Sequence, residues 1–260
     1  MNQRISRISF SLIMADTNEV IAKHKAFWLA VFALYYIPLS FVQWITSDYT
    51  QAISEVLMTM DLESMSRVSQ EYRLDAWINI FAALIGLAFF AVNSWAIFRF
   101  WGGQEVKTDE LFRVAGKKWL PLFGTAFLVG ILLIVPLLLF ILPGLFLAVC
   151  WSMSLYFVLF LDLKYVDAIT ASYRMIIDKW WTVFLLFLSV FLMALFSGVV
   201  MGLLFFRTPA VVGYAAGNIV TRYFNIFLVV AFLHIYNYSY PPVEEDTDLS
   251  STEEGADFLT

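Results

Sequence analysis

Residues 119–161 read WLPLFGTAFLVGILLIVPLLLFILPGLFLAVCWSMSLYFVLFL, 43 positions without a charged side chain. As one helix the run would extend for about 64 Å, roughly twice the ~30 Å hydrocarbon core of a bilayer. The dipeptide Pro143-Gly144 inside it is a strong helix breaker. The stretch therefore reads as two membrane crossings joined by a tight turn at Pro143-Gly144. Helix is the only open-ended spanning form that satisfies its own backbone in lipid. An all-α, multi-pass membrane protein follows.

Working outward, four more apolar runs approach or exceed the ~17 residues a crossing needs. The six expected spans are about 26–45, 77–98, 119–142, 145–161, 180–206 and 213–236. Composition agrees: 61% of the 260 residues are hydrophobic and 14% charged, against about 25% charged in soluble domains. Mean hydropathy is +0.79. The first 25 residues carry Arg4, Arg7, Lys23 and Lys25 but no apolar core with a small-residue cleavage site, so the first span is expected to remain a membrane helix. The single cysteine, Cys150, lies in an apolar run and reads as a small packing residue.

Orientation is read from the bases. Residues 1–25, 99–118 and 162–179 carry twelve Lys and Arg, while the opposite side receives only Arg67, Arg73 and Arg207. The positive-inside rule then puts both termini in the cytoplasm. The net charge of −5 is uneven: seven acids follow Pro242, leaving 14 acids against 16 bases in the rest. Residues 243–260 read as an acidic, disordered tail, either a solvated terminus or a dock for a basic partner or for the chain's own lysines. In residues 47–60, Tyr49, Ile53, Val56, Leu57 and Met60 fall at helical spacing, which predicts a surface helix between the first two spans.

Three times an amphipathic stretch runs into lysine and tryptophan just before an odd-numbered span: residues 20–28, 111–119 and 169–180. Interfacial helices are expected there, with Lys25, Lys118 and Lys179 on lipid phosphate and Trp28, Trp119 and Trp180 at the boundary. Asp16 with Glu19, and Thr108 or Asp109, resemble helix-starting caps. The pattern suggests three repeated helix-hairpin units; convergence on the positive-inside rule is the alternative.

The residues Pro143-Gly144, Trp151, Leu161-Asp162, Val166-Asp167-Ala168-Ile169, Ser172 and Lys179-Trp180-Trp181 resemble the YciC-like uncharacterised inner-membrane proteins. They are also similar to the membrane domain attached to some glycerophosphodiester phosphodiesterases. The specific likeness covers about 140–185, and the proline that members often carry in the middle of the fourth span is missing. The resemblance implies a six-span fold and an inner-membrane location. It implies no reaction, because the phosphodiesterase chemistry belongs to a separate soluble domain.

Few residues suggest chemistry. The sequence has no Walker A, HExxH, GxSxG or Cys/His zinc spacing, and no cofactor or metal is expected. His24 reads as a solvated interfacial residue and His234 as a hydrogen-bonded packing residue rather than a proton carrier. Asp162, Asp167 and Asp178 read as caps or as partners of Lys164, Arg174 and Lys179. The spans hold no Asp or Glu, which argues against a cation-coupled transporter.

The sixth span is unusual. Asn218, Arg222 and Asn225 share one face at i, i+4, i+7, flanked by Tyr214 and Thr221. Either Arg222 snorkels to the outer headgroups and the asparagines join neighbouring helices, or the face lines a pocket for an anion or an anionic headgroup, with Arg207. Asn93, Ser94 and Arg99 are possible polar partners from the second span. Gly198/Gly202 and Gly213/Gly217 are GxxxG pairs, expected to pack the fifth span on the sixth or to form a homo-oligomer seam.

The functional expectation is a non-enzymatic membrane protein, an accessory or scaffold in envelope or lipid homeostasis. The alternative is an uncoupled channel or a lipid/anion translocator using the polar face of the sixth span; a membrane-embedded enzyme ranks third. Expected partners are membrane lipids and a membrane protein or second copy, with no nucleic acid.

Overall fold

In a computed structural model, residues 8–59, 62–205 and 208–240 are described. Arg4, Arg7, Arg207 and the acidic stretch 243–260 lie outside them. Every regular element among the described residues is helical. In chain order these are α1 (Phe10–Lys23), α2 (Lys25–Val31), α3 (Ile37–Ile45), α4 (Ser47–Thr59), α5 (Leu62–Glu71), α6 (Arg73–Trp101), α7 (Thr108–Leu139), α8 (Ile141–Trp151), α9 (Ser154–Leu161), α10 (Val166–Ile176), α11 (Trp180–Phe205) and α12 (Ala210–Ser239). A π turn over Phe32–Tyr36 joins α2 to α3, and a 3-10 turn over Ile177–Lys179 joins α10 to α11.

Six helical stretches are long and apolar enough to cross a membrane, at Lys25–Ile45, Arg73–Trp101, Thr108–Leu139, Ile141–Leu161, Val166–Leu204 and Ala210–Ser239. This is a multi-pass membrane protein. Its interior inverts the rule for soluble proteins. The third and fifth spans have the highest hydropathy, 2.7 each, yet only 11% and 17% of their apolar windows are buried. The sixth span has a hydropathy of 1.6 and is 56% buried. Apolar side chains lose nothing by facing lipid, whereas polar ones must be satisfied inside. So α7 and α11 form the rim, and α12, with its polar face, takes the centre.

The fourth span departs from expectation. The chain reverses at Phe140, which is extended (φ −152°, ψ 116°), rather than at Pro143-Gly144. Pro143 falls in the first turn of α8, where a missing N–H does no harm. Gly144 serves packing: a Cβ there would lie 2.8 Å from Leu137 Cα on α7. The span then breaks a second time between α8 and α9. Ser172 of α10 repairs that break, donating to the Cys150 carbonyl (2.7 Å) and accepting from the Met153 N–H (3.2 Å).

The amphipathic stretches take three forms. α1 is a separate helix, α10 packs in the core through Ala168, Ser172, Met175 and Ile176, and 108–118 is continuous with the span as one helix, α7. Five of the six expected anchor residues have partners within the protein. Trp28, Trp119 and Trp180 donate their indole N–H to the carbonyls of Val20 (3.4 Å), Leu84 (3.2 Å) and Phe146 (3.2 Å). Lys118 is buried, paired with Asp162 and directed at the Val158 carbonyl (3.3 Å). Lys179 bonds Ser239 (2.8 Å) and sits over the Tyr238 ring, while Lys25 is exposed. These residues are helix-to-helix ties, because a donor already inside the bundle does better on an unpaired carbonyl than in lipid.

The predicted helix at 47–60 is α4; α5 after it was not anticipated. Asp16 does not cap: it lies within α1 and meets His234 Nε2 of α12 at 2.8 Å. α7 starts after Lys107 with no side-chain cap. The first arm of the GxxxG expectation, packing of the fifth span on the sixth, finds no support in the glycine surroundings. A Cβ on Gly198, Gly202, Gly213 or Gly217 would meet no heavy atom within 4 Å, so these glycines make no close helix crossing within the chain.

Two outcomes follow. Gly144→Val should destabilise the detergent-solubilised protein by about 1–3 kcal/mol, read as a fall in Tm, because overpacking here meets backbone. Asp162 is held below the ordinary carboxylate range, chiefly by its hydrogen bond from Lys118. Its contribution is therefore complete above the ordinary value of about 4 and fades as pH falls through the lower folded value. Wild type should be more stable than Asp162→Asn at neutral pH, and the difference should shrink in unfolding curves taken below about pH 4.

Candidate functional site

Arg222 is the least compensated group in the described bundle. It lies twelve positions into α12, about 18 Å from the helix start. The snorkelling reading is corrected: the side chain turns inward and is only 7% exposed. Its guanidinium lies over the rings of Trp28 (4.6 Å) and Tyr36 (5.3 Å), and Nε, Nη1 and Nη2 have no hydrogen-bond partner among the described residues. Two aromatic faces stabilise a cation by about 0.5–2 kcal/mol each. They accept none of its N–H groups.

Arg222 borders a cavity of about 280 Å³ between the first, second and sixth spans. Tyr36 and Gln43 come from the first span, Asn93 and Ser94 from α6, and Asn218, Thr221 and Asn225 from α12. Among the described residues no carboxylate lines it. Asn93 Oδ1 is likewise buried without a partner among the described residues. Toward the chain termini the cavity ends at Ile97 and Val229, beyond which Val230 to Ile235 of α12 are buried.

Local sequence explains the wall contributed by the first span. Pro38 has no N–H for Leu34, and the helix widens into the π turn, where Ile37 N–H reaches the Phe32 carbonyl. Tyr36, Ser40 and Gln43 then share the spacing of Asn218, Arg222 and Asn225, and the two faces meet. Asn218 Nδ2 donates to Ser40 Oγ (2.9 Å) and Gln43 Oε1 (3.0 Å), with the Tyr36 carbonyl at 3.5 Å. Asn225 lines the same cavity as Tyr36.

The predicted polar face thus divides by role. Asn218 holds the wall, and Arg222 is left with donors to spare. Thr221 bonds the Gly217 carbonyl (3.1 Å) at the exposed edge, and Tyr214 does not line the cavity.

No family model, curated protein or solved structure matches the chain.

The remaining candidates have ordinary partners. Arg99 pairs with Glu110 (3.0 Å), away from the cavity. His24 stacks on Phe100 (3.6 Å between centroids); burial, then Lys23, lowers its pKa. His234 joins Asp16 and the edge of Trp101. Asp167 opens α10 and Asp178 lies in the 3-10 turn. Among the described residues no three His, Cys, Asp or Glu side chains gather to hold a metal. Reading the sequence missed Tyr36, Ser40 and Gln43 and assigned Trp28 to the boundary; the signal was the shared helical face of Tyr36, Ser40 and Gln43 opposite the sixth span's.

Asn218→Leu should lower stability by about 1–3 kcal/mol, since it strands Ser40 and Gln43 in the bundle. Thr221→Val, at the exposed edge, should change the same denaturation midpoint little.

Proposed function

We propose that this protein binds an anionic group inside the membrane, through Arg222, and acts as a non-enzymatic accessory in lipid or envelope homeostasis. The observation that carries the reading is a buried guanidinium beside a cavity, without an acceptor among the described residues. An unpaired buried charge is costly to keep. An anion entering the cavity supplies the missing acceptor and the missing countercharge together. The blind end near Ile97 and Val229 favours holding over conduction, which sets the accessory role above the channel or translocator alternative.

Membrane lipids are the nearest source of such a group. The twelve-to-three bias of bases favours cytoplasmic termini. The YciC-like likeness of 140–185 favours an inner membrane. On that topology the cavity runs past Arg222, from Ile97 and Val229 on the cytoplasmic side to Asn218 and Gln43 on the outer side.

The test separates binding from folding. Arg222→Leu should be no less stable than wild type in lipid-free detergent, because it removes an uncompensated charge. It should also lose the rise in Tm that added anionic lipid gives wild type, and the co-purified anionic lipid seen by native mass spectrometry. Equal retention of anionic lipid by a folded Arg222→Leu variant would refute the reading.

A further inference from the structure

We infer that the group bound at Arg222 is a phosphoester whose neighbouring substituent carries a neutral hydroxyl, rather than a bare anion. This rests on the anion-binding reading above and adds a second recognition element.

The element is Asn93 of α6. Asn93 lines the same cavity as Arg222, and its Oδ1 is buried with no donor among the described residues. A cavity of about 280 Å³ has room for roughly nine waters at about 30 Å³ each. A phosphate group, five heavy atoms, fills only part of that space. It would answer the donors of Arg222 and leave the acceptor on Asn93 unmet. A ligand that satisfies both presents an anion to one wall and an O–H or N–H donor to the other.

The electrostatics choose between those donors. An ammonium would place a second cation beside Arg222 in a cavity that no carboxylate lines among the described residues. The faces of Trp28 and Tyr36 are already occupied by the guanidinium. Two like charges in a poorly screened site repel strongly. A neutral hydroxyl supplies the donor without that penalty. The shared chemistry is a hydroxyl-bearing alkyl phosphate. Its source is either the headgroup of a lipid such as phosphatidylglycerol or a free polyol phosphate such as glycerol 3-phosphate.

The experiment changes the ligand first, so that folding is not at issue. The full chain is purified into nanodiscs containing equal phosphatidylglycerol and phosphatidylethanol, two monoanionic phosphodiesters that differ in headgroup hydroxyls. Retained lipid is counted by native mass spectrometry. In lipid-free detergent, glycerol 3-phosphate is compared with ethyl phosphate for the rise in Tm. A preference of about tenfold for the hydroxylated member of either pair is expected, the scale of one buried polar group left unpaired. A preference within the lipids assigns the source to the bilayer, and one within the soluble esters assigns it to a free phosphate.

Asn93→Leu, close in shape, should equalise each pair while still binding both members. Arg222→Gln should lose all four ligands. Equal binding within both pairs by wild type, with loss in Arg222→Gln, overturns the hydroxyl inference and leaves the anion site standing. A preference that survives in folded Asn93→Leu also overturns it. Retention of all ligands by folded Arg222→Gln overturns the anion site itself.

Discussion

A hydrocarbon layer offers no water to a stranded N–H or C=O, and the architecture of this bundle follows from that one constraint. The fourth span breaks, and Ser172 takes both loose ends. Three tryptophans at the starts of odd spans reach protein carbonyls. Asn218 fastens the sixth span to the first through Ser40 and Gln43. Each is a polar side chain spent on a specific neighbour. The most apolar helices, α7 and α11, make such ties at the starts of their apolar runs and leave the rest of their length on the rim. Arg222 stands out because it follows the first half of this pattern, inward orientation, and not the second.

Much of this was legible in the chain, for a physical reason. Hydropathy over about twenty residues reports a long, additive signal, and the six spans emerge with most ends displaced by up to four positions, while the third and fifth helical stretches begin earlier, at Thr108 and Val166. The polar face of the sixth span was legible because helical periodicity alone puts Asn218, Arg222 and Asn225 together. Its partners were not found there, since Tyr36, Ser40 and Gln43 lie in a span whose polar spacing looks incidental until the two faces are set opposite each other. The contact between Asn218 and Ser40 joins positions 178 apart. No local pattern encodes which of six helices will meet.

The lysine-tryptophan pairs show the other limit. Their composition matches a membrane boundary, and that statistical meaning is sound for Lys25, which is exposed. For Lys118 the decisive fact is tertiary: Asp162 stands in a left-handed conformation (φ 59°) at the end of α9, where its carboxylate meets that lysine. Likewise, GxxxG describes a helix surface that permits close approach, not one that is approached. In this chain the close approach is made at Gly144, beside Leu137, in a motif the sequence presents as a turn.

The break in the fourth span also has a consequence for biogenesis. α8 is eleven residues long, about 16 Å, and cannot traverse the bilayer by itself. It must enter as one arm of a hairpin with α7. Ser172 lies nineteen residues beyond Met153, so at about 5–20 residues per second it leaves the ribosome roughly one to four seconds later. During that interval the half-made hairpin carries an unfinished joint, and the arrival of α10 is the event that seals it.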